Sequence, residues 1–199
     1  MSKTAILGGT FDPVHFGHIK LAESAVRECN LDKLYFMPNY ISPFKTENII
    51  TPAVHRSRMI KLVTDKSKTL DILEYEILKK GESYTYETLV EFKEKLSSDI
   101  YFIIGLDSAI TLENWYKGDK LLREFKFIVS KRIGCDTEKA KKTLDRYQSE
   151  YNADFTFLEM EPLDISSTTI REAVIQGSDL GNYVPKTVED YIIKNGLYL

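Results

Sequence analysis

Short apolar runs and amphipathic stretches take turns along this chain, and glycine closes two of the runs. Thr4–Leu7 is ended by Gly8-Gly9, and the stronger run Ile100–Ile104 (IYFII) is ended by Gly105. Lys33–Met37, Asp71–Glu74, Phe127–Ser130 and Phe155–Leu158 read as further strands. Between them apolar residues recur at helical spacing. Ile19, Leu21, Ala22, Ala25 and Val26 mark a helix over Phe16–Glu28, and Leu89, Phe92 and Leu96 lie on one side of Thr85–Leu96. Val54–Val63 and Thr137–Tyr147 are predicted helical, and two more helices start near Thr168 and Val188. Pro38-Asn39 and Ser42-Pro43 punctuate a long loop.

Strand and helix alternate over the whole length, which predicts an α/β fold with a mostly parallel sheet and helices on both faces. No repeat, low-complexity tract or linker interrupts residues 1–199, so one domain is expected. Ligands in such sheets bind beyond the carboxyl ends of the strands, where the strand order switches. The loops that follow Gly8 and Gly105 lead to that edge.

Composition narrows the function. The chain has 199 residues, 43% apolar and 29% charged, ordinary for a globular protein. A formal net charge of −3 leaves no basic footprint for nucleic acid, though a small anion needs only a local patch. No apolar run approaches membrane-spanning length, and the opening MSKTAILGGTF has no signal-peptide cleavage pattern. Cys29 and Cys135 lack CxxC spacing, so neither a disulfide framework nor a zinc site is predicted. The expectation is a soluble, cytoplasmic protein with no nucleic-acid or membrane partner. A homo-oligomer stays open, because sequence does not show which apolar patches are exposed.

The candidate chemistry is concentrated in GGTFDPVHFGH, residues 8–18. Gly8 and Gly9 allow close backbone approach to an anion, and a helix N-terminus follows with unpaired N–H groups. His15 and His18, three apart, are predicted to share one side of the first turn. The segment lacks GxGxxG, and GxxxxGK[ST] occurs nowhere, which argues against hydride transfer and a Walker-type ATPase. Near the other end, Ser166-Ser167-Thr168-Thr169 precedes Ile170-Arg171 at a helix start. The hydroxyls are ordinary caps, and Arg171 one turn in can fork onto phosphate oxygens.

Together the two segments resemble the HxGH nucleotidyltransferase superfamily with its C-terminal ISSTxxR signature. The chain is similar over nearly its full length to the bacterial nicotinate-nucleotide adenylyltransferases. MPN at 37–39, SPFK at 42–45, GESYTYET at 81–88, IIGLD at 103–107, NWYK at 114–117, SKR at 130–132 and the terminal NGLYL carry this narrower match. The resemblance implies a Rossmann-like doubly wound fold. It also implies adenylyl transfer from ATP to nicotinate mononucleotide in NAD biosynthesis, giving nicotinate adenine dinucleotide (deamido-NAD) and pyrophosphate by direct in-line displacement. His15 and His18 would donate to the reacting phosphate, with the backbone of Gly8, Gly9, Thr10 and Phe11 lining the phosphates. Ser167, Thr168 and Arg171 would take the departing β- and γ-phosphates, with Arg132 near the adenine. Asp107, just after Gly105, would accept from ribose hydroxyls. Trp115 would stack on the pyridine ring beside Tyr116, and Ser83, Tyr84 and Thr85 would meet the nicotinate carboxylate. Lys45 would meet the acceptor phosphate. Mg2+ is expected to arrive bound to ATP, with no protein metal site.

Two positions depart from the family pattern. Phe44 stands where many relatives have histidine, leaving more to Lys45, and Ile133 follows Lys131-Arg132 where proline is commoner. His55, in VHRSRMIKL, reads as a solvated surface residue, and the charged run Glu138–Lys142 with Asp145 and Arg146 as a solvated helix face. Phosphopantetheine or amidated nicotinamide mononucleotide are rival acceptors. A nucleotide-binding module without catalysis is the rival from another class, and it predicts loss of His15, His18 or Arg171.

Overall fold

The computed structural model describes residues 2–40, 50–81, 84–96, 98–131 and 137–199, with Thr137 by its backbone alone. Among them six strands form one sheet: β1 (Lys3–Gly9), β2 (Lys33–Pro38), β3 (Leu70–Ile72), β4 (Asp99–Gly105), β5 (Lys126–Ser130) and β6 (Asp154–Phe157). Every pairing is parallel and the order is β3-β2-β1-β4-β5-β6. The chain winds outward from β1 through β2 to β3, then returns to β1's other side as β4. This is the doubly wound order, and its switch point lies between β1 and β4.

Period-two alternation along the central strands explains why helices cover both faces. Ala5, Leu7, Ile103 and Ile128 point into one core, shared with α1 (Phe16–Cys29), α2 (Ala53–Thr64), α8 (Ser167–Ile175) and α9 (Lys186–Lys194). Ile6, Phe102, Ile104, Phe127 and Val129 point into the other. There they meet α4 (Thr85–Lys95), α5 (Leu106–Ala109), α6 (Gly118–Glu124) and α7 (Thr137–Tyr151). Ile6 pairs with Phe102 in register, so the two glycine-ended strands finish side by side at Gly9 and Gly105.

The differences from the sequence reading are local. The third strand is Leu70–Ile72; Glu74 instead precedes a short helix, α3 (Tyr75–Lys79). That helix, α5, α6 and the 3-10 turn Leu112–Asn114 are too short to show a helical period. Among the described residues no helix is long and apolar enough to cross a membrane.

Candidate active site

A cleft of about 570 Å³ opens at the carboxyl ends of β1 and β4. The β1–α1 loop and the first turn of α8, far apart in sequence, meet on one side of it. Arg171 is the main fastener: its Nη1 donates to the Asp12 carbonyl at 2.8 Å and its Nη2 to Thr168 Oγ1 at 3.1 Å. Ser167 Oγ donates to the Pro13 carbonyl at 3.0 Å, and the Phe16 N–H to the Tyr183 carbonyl at 2.9 Å. Ser166 is the N-cap, its Oγ accepting from the Thr169 N–H at 3.1 Å. The Ser167 hydroxyl proton is therefore engaged within the protein. What α8 can offer an anion is its first-turn backbone N–H groups, the Thr168 hydroxyl, which accepts from Arg171 and keeps its own proton, and the Arg171 guanidinium.

His15 lies outside the helix. It is the N-cap of α1, with extended backbone at φ −146 and ψ 172, so shared helical position does not bring it to His18. The rings meet by stacking, with centroids 3.7 Å apart and planes 28° from parallel. Phe11 supports His18 edge-on at 4.9 Å. Gly17 makes room for this pair, since a Cβ there would stand 3.0 Å from both Cε1 and Nδ1 of His15. The space freed by Gly9 and Gly8 also goes to protein rings. Their Cβ atoms would lie 2.9 Å from Phe11 Cζ and 3.2 Å from Phe102 Cζ, while their backbone lines the cleft.

His15 is only 5% exposed, and among the described residues nothing pairs with its buried Nδ1. Burial pushes its pKa down to about 4. At neutral pH the imidazole is uncharged, a donor without a standing charge against its stacked neighbour. Unfolded, it binds a proton near pH 6.5, so between 6.5 and 4 the unfolded state holds more protons. Stability is expected to be level in this respect above pH 6.5 and to fall by up to about 3 kcal/mol as pH drops to 4. Urea midpoints measured across that range should show the slope in the wild type and lose much of it in His15→Gln. Equal slopes in the two proteins would refute the burial effect.

The opposite end of the cleft is built around Trp115, which follows the Leu112–Asn114 turn and packs on the second core. Gly118 closes that turn, its N–H on the Trp115 carbonyl at 2.9 Å, and a Cβ at 118 would come within 2.2 Å of the Leu112 carbonyl oxygen. Arg146 forks onto Glu113 at 3.2 and 2.5 Å, and Tyr151 donates to the same carboxylate at 2.9 Å. This part of α7 therefore anchors the turn rather than forming only a solvated face. Thr85, the first residue of α4, lines the cleft, as do Gly105 and Asp107. Any Cβ at Gly105 would meet Asp107 Oδ1 at 2.6 Å, so glycine there lets the carboxylate fold over the strand end.

Of the residues predicted from sequence, Gly8, Gly9, His15, His18, Thr85, Gly105, Asp107, Trp115, Ser167, Thr168 and Arg171 line this cleft. Thr10, Phe11, Tyr84 and Tyr116 do not. Phe11 is buried, and Tyr84 and Tyr116 pack on each other at 4.6 Å, Tyr116 being 45% exposed. Lys45, Ser83 and Arg132, with Phe44, lie outside the described residues. His55 is corrected: its Nδ1 sits 2.9 Å from the Tyr191 hydroxyl, half-buried between α2 and α9.

Sequence reasoning missed Glu76 and gave no role to Asn39. Glu76 is 6% exposed, accepts from Thr88 Oγ1 at 3.1 Å and lines the Trp115 end. It sits on the five-residue α3, which has no period to detect. Asn39 stands in the quoted MPN segment and donates its N–H to the Gly9 carbonyl at 3.0 Å.

The Cytidylyltransferase-like family model matches residues 6–173. A protein named probable nicotinate-nucleotide adenylyltransferase from Clostridium acetobutylicum is 38% identical over 200 residues, with 100% of both chains covered. One of the same name from Clostridium tetani is 36% identical over 199 residues, again across 100% of both. Among solved structures, Plasmodium falciparum nicotinic acid mononucleotide adenylyltransferase complexed with NaAD superposes with a TM-score of 0.78 at 23% identity. The match covers 100% of this chain and 98% of that one and is a likeness of fold.

Proposed function

The chain belongs to the cytidylyltransferase-like family and, within it, to the nicotinate-nucleotide adenylyltransferases, and from that membership we propose how its cleft works. The enzyme transfers an adenylyl group from ATP to nicotinate mononucleotide in NAD biosynthesis, forming nicotinate adenine dinucleotide and pyrophosphate. The observation that carries the site reading is the fastening of Arg171 and Ser167 to the Asp12 and Pro13 carbonyls. It places a cationic helix N-terminus next to the two imidazoles.

In this reading the acceptor's 5′-phosphate oxygen attacks the α-phosphorus of ATP in line. A new P–O bond forms as the bond to the bridging oxygen breaks, and pyrophosphate leaves with that electron pair. The attacking group is already an anion, so no general base is needed; orientation and charge stabilisation remain. His15 and His18 donate to the α-phosphate, and Arg171 with the first-turn N–H groups of Ser167 and Thr168 holds the leaving phosphates. Asp107 accepts from ribose hydroxyls. The Tyr84–Thr85 N–H groups, at the positive end of α4, take the nicotinate carboxylate, and Trp115 stacks on the pyridine ring. Among the described residues no cluster of three His, Cys, Asp or Glu could hold a metal ion. Mg2+ is expected to come with ATP, on whose phosphates it would neutralise charge. We take residues 1–199 as one nucleotidyltransferase domain working in the cytoplasm. Lys45, Ser83, Tyr116 and Arg132 keep the roles that the family resemblance implies.

The test is pyrophosphate release, run in parallel with nicotinate mononucleotide, its amide and phosphopantetheine. Release is expected to be fastest with the first. ATP binding without release for any pyridine mononucleotide would instead support a regulatory module. In the same assay Trp115→Ala is expected to raise KM for nicotinate mononucleotide about 10- to 100-fold, the size of a lost stacking contact, and to move KM for ATP little. A KM change confined to ATP would place Trp115 at the wrong substrate.

A further inference from the structure

On α2 a single guanidinium gathers backbone from three separate segments, one of which borders the cleft at Asn39. Arg56 is 1% exposed. Its Nη1 donates to the Thr10 carbonyl at 2.7 Å, its Nε to the Thr51 carbonyl at 3.0 Å, and its Nη2 to the carbonyls of Asn39 at 2.8 Å and Tyr40 at 3.4 Å. Thr51 is held twice, since its N–H donates to Asp12 Oδ2 at 3.2 Å. Asp12 Oδ1 accepts from the Tyr198 hydroxyl at 2.8 Å, and the Asp12 carbonyl is the one that Arg171 grips. The knot thus ties the GGTF loop, the end of β2 and the entry to α2 to the fastening of α8.

We propose that Arg56 is a positioning residue for adenylyl transfer, setting the phosphate loop and the β2 end in one register. In a trans peptide the C=O and N–H point opposite ways. Pinning the Thr10 carbonyl to Arg56 therefore turns the Phe11 N–H to the other side and holds Phe11, the support of the His18 ring. Hydrogen bonding to that carbonyl also polarises its peptide and strengthens its N–H as a donor. On the other side, the grip on Asn39 and Tyr40 fixes the residues that precede the segment carrying Lys45. One planar fork with five N–H groups can satisfy carbonyls in several directions at once, and an ammonium cannot reproduce that arrangement.

The inference rests on the adenylyl-transfer reading, and its test separates the two. Wild-type protein must release pyrophosphate with ATP and nicotinate mononucleotide; if it does not, the functional reading fails before Arg56 is in question. Arg56→Lys and Tyr198→Phe are then assayed at a temperature where thermal melts show each variant fully folded. Arg56→Lys is expected to lower kcat about 10- to 100-fold, the effect of a small misplacement of reacting groups, with each KM within about threefold. Tyr198→Phe, which removes the hydroxyl shared by Asp12 and the Thr51 side chain and leaves Arg56 in place, is expected to lower kcat several-fold with the same KM pattern. In Arg56→Ala, millimolar methylguanidinium is expected to restore part of kcat, a rescue that general loss of stability would not show. Folded variants whose kcat stays within threefold of wild type would overturn the proposal. So would losses appearing only as raised KM, because the effect would then lie in binding and not in alignment.

Discussion

His18→Ala is expected to cut turnover about 10²- to 10³-fold while leaving the thermal midpoint within a few degrees of wild type. The His18 ring is half-buried at the cleft, stacked on His15 and braced by Phe11. Truncating it opens space toward the cleft, where water can enter, and costs the apolar cores only the edge contact with Phe11. The chemistry has no such substitute. Water reorganises as charge builds on the α-phosphate, whereas a fixed imidazole is already in place. His15 cannot take over, because its buried ring is packed against Gly17 and has its own contact to make. Pyrophosphate release together with a thermal melt decides the point. Near-normal turnover in a folded variant would remove His18 from the reaction.

Arg171→Ala is expected to reduce kcat/KM for ATP about 30- to 100-fold, the size of lost charge-assisted hydrogen bonds. KM for nicotinate mononucleotide should stay within about twofold. Arg171→Lys keeps the charge but loses the fork that spans the Asp12 carbonyl and Thr168 Oγ1, so it should recover only part of the loss. Steady-state kinetics varying each substrate in turn provides the check. Equal damage to both substrates would mean that Arg171 acts mainly by fastening α8 to the loop.

Both predictions start from motifs visible in the linear chain, and the structure changes their physical basis. The spacing of His15 and His18 points to a shared helical face; the actual cause of their proximity is ring stacking over a glycine, with His15 as cap. Gly8 and Gly9 read as clearance for an anion, yet the space they free is filled by Phe102 and Phe11. Strands and long helices were legible because burial imposes periods of two and 3.6 on their side chains. The short α3, α5 and α6 were not, since a helix of one or two turns leaves no period to read. Glu76 was lost with α3.

Arg56 shows the same limit from another side. In VHRSRMIKL it is indistinguishable by spacing from Arg58, yet Arg56 is buried and Arg58 exposed. Its partners are main-chain carbonyls at positions 10, 39, 40 and 51, and carbonyls carry no sequence identity. His55 likewise owes its half-burial to Tyr191, on a helix that sequence distance does not connect to it.

The chain by itself determined the alternation of strand and helix, the glycine-ended strands that meet at the switch point, and the paired segments that signal phosphate chemistry. These depend on which residue stands where, and neighbours within a few positions settle them. Only the tertiary structure decided that Arg171 reaches Asp12, that His15 is buried and neutral, and that Arg56 gathers three stretches of backbone. Those outcomes depend on distances between residues remote in sequence and on exclusion of water, and the winding of the sheet sets both.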